Sequence, residues 1–75
     1  LRHAACQAIA QEAQLTEKEG LALEYVSMGY TVARIAQERG VSENTVRTHT
    51  KGLYRKLDVH SKQEVIELVE RHMGK

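Results

Sequence analysis

The chain lacks much of what a large or covalently braced protein uses. It has no proline, tryptophan or phenylalanine; three tyrosines are its aromatics and Cys6 is its single cysteine. Its 75 residues suffice for one domain and are too few for two. Without Phe or Trp, any core must be aliphatic, built from Leu, Val, Ile and Ala. A domain this small buries only about 60% of the surface its unfolded chain exposes, which leaves no room for a deep catalytic pocket or a large cofactor. A lone cysteine cannot close an internal disulfide. That excludes a secreted disulfide scaffold and fits a reducing compartment, so a cytoplasmic location is expected. No apolar run approaches the roughly 18 residues that cross a bilayer, and no secretory leader is visible. No membrane contact is expected of this segment. The sequence starts at Leu1 rather than Met, as expected of a piece of a longer protein whose upstream sensor domain lies elsewhere.

Alternating apolar and polar runs, the mark of strands, are also missing, so the fold class expected is all-α. Residues 1–14 are rich in Ala and Gln with a weak apolar pattern, which predicts a linker or short helix ahead of a domain over 15–75. Thr16 stands three residues before Glu19, the spacing of a reciprocal helix cap, and a helix is predicted over about 17–28, ending at Gly29. Thr31 caps a second helix, about 32–39, stopped by Gly40. Ser42 caps a third, about 43–57, in which Val46, Leu53 and Leu57 form one apolar stripe with Thr50 among them. Ser61, with Glu64 three residues on, opens a fourth over about 62–72. Four helices with short connections make a small bundle.

The second and third helices are joined by Gly40-Val41-Ser42. A short helix, a glycine turn and a serine-capped helix have the form of a helix-turn-helix, and the small Ala36 lets the two helices cross closely. The net charge of +1 says nothing of a partner by itself, but it is unevenly distributed. Residues 1–41 carry four Lys or Arg against five acids, whereas residues 44–57 carry Arg47, Lys51, Arg55 and Lys56 and no acid. Arg47, Lys51 and Arg55 are four apart and line one side of the third helix, with Asn44 and Thr48. Such side chains can bond base edges or phosphates from a rod that fits the major groove. Ser42 and the free amides of the first turn offer a further place for a phosphate. Double-stranded DNA is therefore the partner expected.

A set of short motifs points the same way: Leu15-Thr16 followed by Glu19; Gly29; Ile35-Ala36; Val41-Ser42; Thr45-Val46-Arg47-Thr48-His49; Tyr54-Arg55-Lys56-Leu57; and Val59-His60-Ser61-Lys62. With this spacing, residues 15–66 resemble the LuxR-type DNA-binding domain, also found at the C-terminus of NarL-like response regulators. The resemblance implies a transcription regulator's output domain that binds an inverted DNA repeat as a homodimer, with RNA polymerase as a further candidate partner. It implies Arg47, Thr48 and Lys51 as base-reading residues and Asn44, Thr45 and Lys62 as phosphate contacts, to which charge and position add Ser42 and Arg55. It also implies a dimer contact through the fourth helix, where Val65, Leu68 and Val69 are the candidates, as either core or seam. Three positions depart from the family pattern: Arg34 stands where an acid is usual, Arg39 where an apolar residue is usual, and Lys62 where Arg is usual. Gly52, inside a helix, costs about 1 kcal/mol relative to Ala; close approach to DNA or to another helix is the reason expected for it.

Other candidates are weaker. His3 and Cys6 share a helical turn, but two ligands do not make a metal site, and no cofactor is expected. His49 lies between the basic side and the apolar stripe, where a buried, hydrogen-bonded structural role is expected. No paired carboxylates, nucleophile–base set or phosphate-cradling glycine loop points to an enzyme. Two rivals remain: a sigma-factor region 4-like promoter reader, which leaves the fourth helix unexplained, and a helical protein-interaction module without DNA binding.

Overall fold

Helix caps written into the sequence set the boundaries of the fold. The computed structural model describes residues 1–74; the final residue of the expected domain, Lys75, lies outside the described residues. Five helices follow one another: α1 (Arg2–Ala13), α2 (Glu17–Ser27), α3 (Val32–Arg39), α4 (Glu43–Leu57) and α5 (Lys62–His72). No strand occurs among the described residues. Thr16 and Glu19 close a full capping box, Glu19 N donating to Thr16 Oγ1 at 3.1 Å and Thr16 N to Glu19 Oε1 at 3.0 Å. Thr31, Ser42 and Ser61 each accept the amide three residues on. The expected reciprocal bond at Ser61 is displaced by one residue: Glu64 Oε1 accepts from His60 N instead.

The helices also stop by a shared device. At Gly40, φ is 67°; Gly40 N donates to Gln37 O and Val41 N to Ala36 O, the paired bonds that satisfy a helix's last carbonyls. This places half-buried Val41 against the core at the corner between α3 and α4. Gln14 and Asp58 end α1 and α4 in the same left-handed conformation, with φ of 55° and 56°. Neither is glycine, so neither announces a stop as plainly as Gly40.

The first segment, expected as a linker or short helix, takes the helical form. Residues 2–13 form a twelve-residue helix that packs on α2 and α5, making a fifth helix where four were expected. Its buried face consists of Ala5, Cys6 and Ile9. Two of these are too small to register as an apolar stripe, yet their size is what lets α1 lie close to its neighbours. Helix α2 is central, touching α1, α4 and α5, while α3 leans on α4. Leu23, Ile35, Val46, Leu53, Val65 and Val69 fill the middle, the aliphatic core that the composition requires.

Two expected dimer contacts are core residues. Val65 and Val69 are 0% and 1% exposed, on a helix that packs against α1 and α2. Their 3–4 spacing serves the core, and α1 covers part of what a four-helix reading leaves outside. Of the three candidates only Leu68 remains partly exposed.

Candidate nucleic-acid interface

Helix α4 divides sharply into two sides. Its inner side places Val46 and Leu53 in the core with half-buried Leu57 against them. At 3.6 residues per turn, Arg47, Lys51, Asn44, Arg55 and Thr48 fall within an arc of about 100° on the other side. All five are exposed. The fourth base of the helix is not among them. Lys56 points back to α2, its Nζ donating to Glu19 Oε1 at 2.8 Å and to Gln14 O at 3.4 Å. The basic face is therefore three residues wide, and Lys56 anchors it to the scaffold.

Gly52 has its explanation at this anchor. A Cβ built there would overlap Glu19 Oε2, so glycine lets the α2 carboxylate approach the α4 backbone. The hydrogen bond from Lys56, then that from the Thr16 amide, holds the Glu19 carboxyl below its ordinary range, against the opposing effect of burial. One carboxylate thus caps α2, pairs with α4 and orients the exposed face.

Local bonds order the start of α4. Ser42 Oγ accepts from Thr45 N at 3.1 Å and lies 2.9 Å from Thr45 Oγ1. Thr48 Oγ1 donates to Asn44 O at 3.0 Å. Arg47 donates to Asn44 Oδ1 at 3.2 Å and to Glu43 Oε1 at 2.9 Å. Glu43 was not singled out from the sequence, although an acid four residues before a base on a helix is a recognisable pair. Beside this face lies an open groove of about 700 Å³, lined by half-buried Val32, Tyr54 and Val59 and by Arg47, Lys51 and Arg55. Burial raises the Tyr54 phenol above its ordinary value. Lys62 stands apart from the α4 residues, its Nζ donating to Gly29 O at 3.2 Å. Arg34, in place of the acid usual there, lies 3.9 Å over the Tyr30 ring, a cation–π contact.

His49 departs from expectation. It is half-buried, but its Nδ1 is enclosed with no hydrogen-bond partner among the described residues, as is Thr50 Oγ1. His3 and Cys6 have separate surroundings: His3 Nδ1 lies 2.9 Å from Glu24 Oε2, and Cys6 Sγ 3.8 Å from Ser27 Oγ. Burial pushes the Cys6 thiol up, against the lowering effect of Ser27. No described helix is long and apolar enough to cross a membrane.

A short helix, a glycine turn and a capped helix that turns an ordered basic face outward define a helix-turn-helix domain of the DNA-binding kind. Residues 13–69 match the family described as bacterial regulatory proteins, luxR family, and the chain belongs to that family. It is similar to the HTH-type transcriptional regulator MalT of Yersinia pestis (strain Pestoides F), 32% identical over 71 residues, which cover 95% of this chain and 8% of that protein. It is also similar to the transcriptional regulatory protein YdfI of Bacillus subtilis (strain 168), 39% identical over 57 residues, 76% of this chain and 27% of that protein. The chain therefore spans less than a third of either relative. No solved structure matches it.

Proposed function

We propose that this chain is the output domain of a transcription regulator and reads double-stranded DNA by sequence in the cytoplasm, with α4 lying in the major groove. The observation that carries the reading is the exposed face of α4, where three bases and two hydrogen-bonding side chains share one arc directly after the turn. Arg47 and Lys51 donate to guanine O6 and N7, and Thr48 offers its methyl to thymine or its hydroxyl to a base edge. Ser42, Asn44, Thr45, Arg55 and Lys62 meet phosphates and set the register. Asn44 also supports Arg47, so its phosphate contact uses the side-chain N–H groups that the Arg47 bond leaves free.

Two copies reading an inverted repeat would place α4 in successive major grooves about one helical turn apart. The core positions of Val65 and Val69 limit the apolar part of any α5 contact to partly exposed residues such as Leu68. A sensor domain upstream and RNA polymerase as a partner belong to the same reading. Selection of duplexes from a random pool tests it directly. Enrichment of a two-fold symmetric site, with affinity falling steeply as salt rises, is the expected result. No binding to any duplex at low salt would favour the protein-interaction module instead.

A further inference from the structure

Of the three bases on the exposed face of α4, only Arg47 has a carboxylate partner among the described residues. Its Nη2 lies 2.9 Å from Glu43 Oε1, with 58% of the Arg47 side chain and 49% of the Glu43 side chain exposed. Its Nη1 donates to Asn44 Oδ1 at 3.2 Å. Two nitrogens of the guanidinium are thus held by side chains of its own helix, and the remaining N–H groups of the planar fork point elsewhere. Lys51 and Arg55 carry no such restraint.

We propose that Glu43 is a positioning residue for specificity: by holding Arg47 it aims that guanidinium at a base edge and withholds it from phosphates. This rests on the reading of α4 as the major-groove helix. The argument is one of competing partners. A phosphate contact strengthens binding to every DNA sequence alike, because it releases counterions and reads no base. A carboxylate beside Arg47 neutralises the charge that a phosphate would pair with, and itself repels the DNA backbone. A guanine edge presents two acceptors in one plane, which the free edge of a pre-oriented guanidinium can meet without Glu43 letting go. Glu43 therefore acts against non-specific complexes more than against the specific one, which is how an unfavourable element creates discrimination. The simpler role for Glu43, stabilising the positive end of the α4 dipole, changes stability and leaves specificity unaltered.

The test compares the chain with its Glu43→Gln variant on a selected duplex and on a random one, after circular dichroism has shown both to be folded. Binding of the unaltered chain to no duplex would overturn the major-groove reading itself, and this proposal with it. Given binding, the variant is expected to gain about threefold to tenfold on the random duplex, with a salt dependence there steeper by about one phosphate contact. On the selected duplex it should move by less than about twofold, so the specificity ratio falls. In an Arg47→Ala background, Glu43→Gln should leave that ratio unchanged, since the residue acts through Arg47. Equal shifts on both duplexes, no shift on either, or a ratio that still falls without Arg47 would each overturn the proposal while leaving DNA binding intact.

Discussion

The carboxylate of Glu19 fills the space in which a side chain at Gly52 would begin. Gly52→Ala therefore sets two effects against each other. Helix propensity favours alanine by about 1 kcal/mol. The added methyl must displace a carboxylate that accepts from Thr16 N and Lys56 Nζ, and losing the bond to the Thr16 amide alone costs about 0.5–1.5 kcal/mol. With the ion pair lost as well, the net is expected to be destabilising by about 1 kcal/mol, a drop of roughly 4–8 °C in Tm for a domain of this size. In a Glu19→Ala background the sign should reverse, and Gly52→Ala should stabilise. Thermal melts of the four proteins decide it.

Acid should act on the same carboxylate. Folding holds the Glu19 carboxyl below its ordinary value of 4.5, chiefly through Lys56. A group whose pKa is lowered by folding binds more protons in the unfolded chain, so its contribution is complete above the unfolded value and is lost as pH falls through the folded one. Stability should decline on acidification below pH 4.5. Glu19→Gln should be less stable at neutral pH by about 1–3 kcal/mol and show a shallower decline in acid. Parallel denaturation-versus-pH curves for the two proteins would count against this role.

On DNA, two bases of one face should behave differently. Lys51→Ala is expected to cost about 1–3 kcal/mol on the selected duplex and to relax the preference at one base pair. Arg55→Ala should weaken binding evenly across sequences and lower the salt slope by about one. Quantitative binding to a panel of single-base variants at several salt concentrations separates the two, and an even loss for Lys51→Ala would assign it to phosphate.

The first helix should prove integral to the domain. Ile9 is 3% exposed in the core, so Ile9→Ala should lose about 2–4 kcal/mol, a large share of the several kcal/mol that stabilise a small domain. In a tethered linker the same change would stay within about 0.5 kcal/mol. Chemical denaturation measures the difference.

How much of this could be read before the fold was known follows from where each signal resides. The starts and ends of α2, α3, α4 and α5 were legible because caps and stops act within four residues: Thr16 with Glu19, Thr31, Ser42, Gly40 and Ser61 carry their own physics. The basic face was legible because Arg47, Lys51 and Arg55 recur with the helical period. By contrast, α1 was obscured because Ala5 and Cys6 contribute little apolar signal.

By itself, then, the sequence determined everything local: an all-helical chain, the glycine turn between α3 and α4, and which side of α4 is basic. Only the tertiary structure decided what depends on residues far apart in the chain. It paired Lys56 with Glu19, gave Gly52 its neighbour, and placed Val65 and Val69 in the core beneath α1. Periodicity shows which side chains share a face, but what covers that face depends on residues tens of positions away.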